Sequence, residues 1–67
     1  MLKNNIALLR FEKGMTQEEL ANLVGVRRET IARLEKGLYN PSLKFAMDIA
    51  KIFNKTVEEI FEFVDEE

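Results

Sequence analysis

The sequence predicts an all-α fold, a compact bundle of five short helices. Its apolar residues recur at the three- and four-residue spacing of amphipathic helices, and no segment alternates with a period of two for long enough to predict a strand. Residues that interrupt helices separate the segments, at Gly14, Gly25, Gly37 and Pro41. The length of 67 residues predicts one domain, residues 1–67, with its core over residues 5–62.

The first predicted helix spans residues 2–13. Leu2, Ile6 and Leu9 share one of its faces, and Phe11 is a further candidate for that face. Gly14 stands where a residue of left-handed backbone conformation ends a helix. The segment therefore predicts an amphipathic helix that packs against the rest of the bundle.

The second and third predicted helices lie close together. Thr16 opens the second helix through a capping box with Glu19, and Gly25 ends it. The third helix spans residues 28–36 and stops before Gly37. The short connection predicts that the two helices cross steeply.

Residue types at the crossing support this arrangement. Ala21 provides the small side chain where the helices touch, and Gly25 tolerates the positive φ of the turn. Ile31 and Leu34 hold the third helix against the core. The opposite, exposed face of that helix carries Arg28, Glu29, Ala32, Arg33 and Lys36.

Two more helices complete the predicted bundle. Ser42 caps the fourth, which runs to Phe53 with a buried apolar stripe. Thr56 and Glu59 repeat the capping box and open a fifth helix that continues through Val64 to the end of the chain.

Charge is unevenly distributed along the chain. The net charge is −2, but residues 1–55 hold ten bases and six acids, a net +4, whereas residues 56–67 hold six acids and no base, a net −6. The basic part suits an anionic partner, and the acidic segment 62–67 is interpreted as the solvated end of the last helix.

Several short motifs stand at fixed intervals. They are Arg10, Thr16-Gln17-Glu18-Glu19-Leu20-Ala21, Gly25-Val26, Thr30-Ile31, Glu35-Lys36-Gly37 and Asn40-Pro41-Ser42. Through these motifs the chain resembles the Xre-type helix-turn-helix family, which includes the phage repressor and Cro proteins, over residues 5–62. The resemblance implies a lambda-repressor-like fold with the helix-turn-helix at the second and third helices. It also implies sequence-specific binding of double-stranded DNA by a transcriptional regulator that acts as a repressor, with residues 28–36 in the major groove.

The resemblance assigns base contacts to Arg28, Glu29 and Arg33. Arginine donates two parallel hydrogen bonds to guanine, and a carboxylate accepts from cytosine N4 or adenine N6. For Glu29 an ion pair within the chain, with Arg28 or Arg33, is the alternative, and its role stays open.

Contacts to the DNA backbone are expected beside the base contacts. The family uses the glutamine at position 17 against a phosphate, at a helix start where free amides and the helix dipole attract anions. The further phosphate candidates are Thr16, Arg27, Lys36, Asn40 and Lys44. For each lysine a solvated surface charge is the alternative.

Two features of the sequence concern the stability of the fold. The resemblance implies an internal ion pair of Arg10 with Glu35 that links the first helix to the third. Position 27 departs from the family, which commonly carries Ser or Thr there as the N-cap, because Arg27 cannot accept the capping hydrogen bond. A phosphate contact and a shifted helix start are the two explanations.

The last predicted helix offers more apolar surface than one core-facing stripe requires. Residues 60, 61 and 64 share that stripe, whereas Phe63 lies about 100° from Val64 and is expected to be exposed. We expect a homodimer that covers Phe63 with Leu38 or Tyr39 and sets two recognition helices about 34 Å apart. A singly exposed aromatic is the alternative.

Other functions are less well supported by the sequence. Without Cys or His, no catalytic residue, metal site or cofactor is predicted, so an enzyme is not expected. A protein-interaction module of the same fold, such as an antitoxin, an antirepressor or a transcription-bridging factor, is the alternative function. RNA binding is disfavoured because most of the phenylalanines are interpreted as core residues, which leaves no aromatic surface on which bases could stack. No apolar run is long enough to cross a membrane, and the cytoplasm is the expected compartment.

Overall fold

The computed structural model describes residues 2–38 and 40–65. These residues form five helices and two short strands. In chain order the elements are β1 (Leu2–Asn4), α1 (Ile6–Glu12), α2 (Gln17–Val24), α3 (Arg28–Glu35), α4 (Leu43–Phe53), α5 (Val57–Ile60) and β2 (Phe61–Phe63). The prediction of a mainly helical five-helix domain is confirmed.

The predicted helix starts at the two threonines and the serine are confirmed. Thr16 and Thr56 each form a complete capping box, and the Ser42 hydroxyl accepts the Phe45 N–H at 3.1 Å. Gly25 ends α2 in the left-handed conformation. These local signals set the helix boundaries, because each satisfies backbone groups that a helix end leaves free.

The core is apolar and draws on every helix. The largest side chains that are fully buried come from α1 to α4; they are Ile6, Leu20, Ile31, Leu34 and Ile49. Phe53, Ile60 and Phe61 close the core with at most 9% of each residue exposed. Phe11, by contrast, is 74% exposed, so its assignment to the buried face of the first helix is wrong.

Both ends of the described chain depart from the prediction. Residues 2–4 and Phe61–Phe63 pair as antiparallel strands, with Leu2 opposite Phe63 and Asn4 opposite Phe61. The first helix therefore begins only at Ile6, and the last ends at Ile60. The prediction that no strand forms is wrong, and so is the extension of the last helix through Val64 into the acidic segment.

Contacts between the two chain ends explain why α5 stops. The Asn5 backbone N–H donates to the Ile60 carbonyl at 3.2 Å, and the Asn5 side-chain amide donates to the Glu59 carbonyl at 3.3 Å. Phe61 then adopts an extended conformation, with φ −117° and ψ 142°. The carbonyls at the end of α5 thus find their partners near the N-terminal end of the chain instead of in a further helical turn. Within the part of the chain that the structure describes, no helix is long and apolar enough to cross a membrane.

Candidate nucleic-acid interface

The turn between α2 and α3 is built from a glycine and a small buried residue. Gly25 has a φ of +74°, and the N–H groups of Gly25 and Val26 both reach the carbonyl of Ala21. A Cβ atom at Gly25 would meet no atom within 4 Å, so the positive φ rather than crowding favours glycine there. Ala21 itself is 1% exposed. The positive φ at Gly25 and the burial of Ala21 are therefore as the sequence predicts.

The third helix divides cleanly into a buried and an exposed side. Ile31 and Leu34 are completely buried in the core. The side chains expected to contact DNA bases lie on the exposed side, as does one phosphate candidate; they are Arg28, Glu29, Arg33 and Lys36. The core thus holds α3 in place while its polar side remains available to a partner.

Arg27 is the N-cap residue of α3 and is exposed. Its backbone is extended, with φ −82° and ψ 153°, and no side chain provides a capping hydrogen bond. The helix starts directly after it, at Arg28, so the alternative of a shifted helix start is wrong. The N-cap hydrogen bond that the sequence predicts to be missing from α3 is therefore missing in the structure as well.

Four side chains form a chain of hydrogen bonds from α1 to the start of α3. The Arg10 guanidinium meets the Glu35 carboxylate at two points, with Nε 2.6 Å from Oε2 and Nη2 3.1 Å from Oε1. The Gln17 amide donates to Glu35 Oε1 at 3.0 Å and accepts from Arg28 Nη1 at 3.3 Å. The structure thereby links two residues expected at the DNA to a buried ion pair.

The electrostatics of this arrangement follow from burial and hydrogen bonding. The side chains of Arg10 and Glu35 are each 9% exposed, and Arg10 also donates to the Met15 carbonyl at 2.9 Å. The hydrogen bond to Glu35 raises the pKa of Arg10 above its ordinary value, although burial acts in the opposite direction. At the start of α2, the hydrogen bonds from the Thr16 backbone and hydroxyl lower the pKa of Glu19.

The predicted contact residues do not all gather in one place. Thr16, Gln17 and Arg28 line a single open cleft together with Arg10. Lys44 lines a different cleft, beside Gly25, and its ammonium lies 2.8 Å from the Asp48 carboxylate.

The remaining predicted residues lie outside the first cleft. Asn40 is exposed, and Tyr39 lies outside the described residues. Among the described residues Glu29 forms no salt bridge with Arg28 or Arg33, so neither of its possible intramolecular partners holds it.

Sequence reasoning did not place Phe11 at the first cleft. Phe11 lines it, and its ring lies 5.4 Å from the central carbon of the Arg10 guanidinium. The signal was present in the spacing, since Phe11 follows Leu9 by two positions and lies about 200° from it around a helix. That angle puts the ring on the side of α1 opposite the core.

In residues 2–38 and 40–65, no three His, Cys, Asp or Glu side chains lie close enough together to hold a metal ion. The polar groups of the first cleft are arranged for hydrogen bonding.

Comparisons with known proteins agree with this geometry. A profile of the helix-turn-helix family matches residues 6–60, so the chain belongs to that family, in its Xre or Cro/C1-type branch. The chain is 58% identical over 66 residues to an uncharacterised HTH-type transcriptional regulator of Archaeoglobus fulgidus, covering 98% of this chain and 94% of the relative. It is 35% identical over 60 residues to the cryptic phage CTXphi transcriptional repressor RstR of Vibrio cholerae, covering 90% of this chain and 54% of the relative.

A solved structure gives the same picture. The restriction-modification controller protein C.AhdI of Aeromonas hydrophila superposes with a TM-score of 0.73 at 33% identity, over 81% of this chain and 82% of that protein.

Proposed function

We propose that this chain binds double-stranded DNA sequence-specifically and regulates transcription as a repressor, acting in the cytoplasm. The observation that carries the proposal is the division of α3. Its apolar side is locked into the core by Ile31 and Leu34, while its exposed side presents Arg28 and Arg33. A helix held in this way, joined to α2 by a short turn, is shaped to enter a major groove. The relatives named as transcriptional regulators support the same reading.

In this proposal three residues of α3 contact the DNA bases. Arg28 and Arg33 donate to guanine, and Glu29 accepts from cytosine N4 or adenine N6. Each good two-point arginine contact discriminates against a wrong base by about 1–3 kcal/mol. Gln17 holds the Arg28 guanidinium through its side-chain oxygen, so Arg28 approaches the DNA already oriented.

Backbone contacts fix the register of the protein on the duplex. We assign them to exposed or half-buried polar residues around α2 and α3; these are Thr16, Gln17, Arg27, Lys36, Asn40 and Lys44. One amide hydrogen of Gln17 is used by Glu35, which leaves the second for a phosphate oxygen. Such contacts add affinity without reading sequence.

The functional unit in this proposal is a homodimer. Leu38 is 61% exposed and Phe63 is 75% exposed. Both are close to Leu2 in the fold, because Phe63 pairs with Leu2 and Gly37, the residue before Leu38, lines a cleft with Leu2. A two-fold contact at this apolar region places the two copies of α3 on successive major grooves of a palindromic site.

The experiment that tests the function is a selection from random DNA. The protein is titrated at several salt concentrations against a pool of random duplexes, and the retained fraction is sequenced. Enrichment of an inverted repeat, abolished by Arg28→Ala, supports the proposal. Two results contradict it and favour a protein-interaction module. In the first, no motif is enriched even at low salt. In the second, Arg28→Ala binds a partner protein at high salt as well as the parent does.

A further inference from the structure

The cleft at the end of α1 has an apolar wall that the DNA contacts named so far do not use. Its volume is about 630 Å³, and it lies between the end of α1 and the start of α2. Phe11 and Met15 form the apolar part of its lining, while Thr16, Gln17 and Arg28 form the polar part. An apolar surface thus faces the same space as three residues proposed to meet DNA.

Phe11 is the unexplained member of this lining. The ring is 74% exposed, and its described ring contact is with the Arg10 guanidinium, 5.4 Å from the ring centroid. Arg10 is itself held by Glu35. One side of the Phe11 ring therefore lies against a buried cation, while most of the surface of the ring faces solvent.

We propose that this cleft receives the sugar–phosphate backbone of the bound duplex and that Phe11 packs against a deoxyribose there. The inference rests on the proposed DNA-binding function and extends it to a contact that carries no charge. A DNA strand alternates an anionic phosphate with an apolar sugar face, so a cleft with one polar and one apolar wall matches its chemistry. The surface is continuous with Gln17 and Arg28, which line the same cleft.

The charges around the cleft decide which wall takes the phosphate. Arg28 contributes a positive charge that forms no salt bridge with a described residue, whereas the charge of Arg10 is balanced by Glu35. Glu18 also lines the cleft and repels an anion. The phosphate accordingly lies on the side of Arg28 and Gln17, and the sugar that follows it lies against Phe11.

The test begins with Phe11→Ala and Leu8→Ala as a matched pair. Leu8 is also exposed on α1, at 56%, but it does not line the cleft. We expect Phe11→Ala to weaken DNA binding about five- to thirtyfold, the effect of losing one apolar contact. The loss is the same on the preferred site and on a scrambled duplex, with an unchanged salt dependence, because a sugar contact reads no base and releases no counterion. Leu8→Ala binds like the parent.

A second variant reports the contact without relying on affinity. The chain contains no Trp, so Phe11→Trp introduces a single indole. Adding the preferred duplex is expected to shift its emission and to protect it from iodide quenching, whereas the indole of Leu8→Trp stays equally accessible. Thermal melts of all four variants confirm that the fold is retained.

Three results overturn the inference, and they are distinguishable. If the parent binds DNA but Phe11→Ala binds within twofold of it and the Phe11→Trp indole stays open to iodide, the backbone contact is refuted while the proposed function stands. If the parent binds no DNA, both fail together. A change in sedimentation of Phe11→Ala with unchanged DNA affinity also refutes the contact and assigns Phe11 to a protein interface.

Discussion

Arg10 and Glu35 form a two-point ion pair that joins α1 to the last residue of α3, with each side chain 9% exposed. Glu35 also accepts a hydrogen bond from the Gln17 side-chain amide, at 3.0 Å. Buried pairs of this kind add little net stability compared with apolar residues, but losing one partner leaves an uncompensated charge in the protein interior. Substitutions can therefore separate the effect of the Arg10–Glu35 pair on stability from its effect on DNA recognition.

We predict that Arg10→Ala lowers the free energy of unfolding by about 3–5 kcal/mol, because Glu35 is left buried without its partner. Chemical denaturation followed by circular dichroism measures the change. Replacing both partners, as Arg10→Met with Glu35→Leu, is expected to recover most of the loss. Lys44→Ala is the matched control, since its pair with Asp48 is exposed and contributes at most about 1 kcal/mol. An Arg10→Ala melt that matches the parent would remove the structural role of the pair.

The Gln17 side chain predicts a coupling between phosphate binding and base reading. Because its oxygen accepts from Arg28, Gln17→Ala is expected to relax the base preference at the Arg28 position as well as to weaken binding. Affinities are measured for the preferred site and for the same site with that base changed. In the double variant Gln17→Ala with Arg28→Ala the two losses of specificity are expected not to add. Fully additive losses would show that Gln17 does not orient Arg28.

Local signals in the sequence predicted most of this fold. The capping boxes at Thr16 and Thr56 and the turn at Gly25 act within a few residues, so the sequence alone locates them. The pairing of Leu2–Asn4 with Phe61–Phe63 joins opposite ends of the chain and involves three residues on each side. A strand of three residues is too short for its alternation to differ from a helical pattern.

In the candidate site, too, local features were predictable from the sequence and long-range contacts were not. Exposure of Arg28 and Arg33 follows from the helical spacing of Ile31 and Leu34, and sequence reasoning found it. The hydrogen bonds of Gln17 to Glu35 and Arg28 depend on three-dimensional packing of α2 against α3, and no spacing rule predicts them. Phe11 was misassigned because its apolar character outweighed its angular position on α1.

The two capping boxes predict a defined response to acid. Hydrogen bonds from Thr16 lower the pKa of Glu19, and those from Thr56 lower the pKa of Glu59. A lowered folded-state pKa stabilises the fold above the ordinary glutamate pKa of about 4.3, and this contribution is lost as the pH falls from there through the lowered value. We expect unfolding measurements between pH 7 and pH 2 to show a shallower loss of stability below pH 4.3 for Glu19→Gln and for Glu59→Gln.

The effects of these two substitutions are expected to add, because the boxes lie on different helices and share no hydrogen bond. An acid dependence in the double variant equal to that of the parent would contradict the role of the capping boxes.

The proposed dimer predicts a change in mass and in DNA binding together. Phe63 is 75% exposed, so Phe63→Ser is expected to leave the fold intact while it removes apolar surface from the two-fold contact. Sedimentation is expected to change from twice the mass of one chain to a single chain at the same concentration. Affinity for a palindromic site falls, and affinity for one half-site does not. Leu23→Ser, which removes a comparably exposed apolar residue from α2, serves as the control and stays dimeric. A parent that sediments as a single chain at micromolar concentration would refute the dimer.

Arg27 offers a substitution whose effects on stability and binding are expected to have opposite signs. It occupies the N-cap of α3 with an extended backbone but provides no capping hydrogen bond. A serine there accepts from the first free amides of the helix, so Arg27→Ser is expected to stabilise the fold by about 0.5–2 kcal/mol. If the arginine contacts a phosphate, the same substitution weakens binding to all duplexes and reduces the salt dependence by about one counterion. Arg27→Lys, which keeps the charge without adding a cap, is the matched control. If Arg27→Ser is more stable than the parent and binds DNA with the same affinity, Arg27 has no part in DNA binding. The stability lost through the missing cap is then not offset by a phosphate contact.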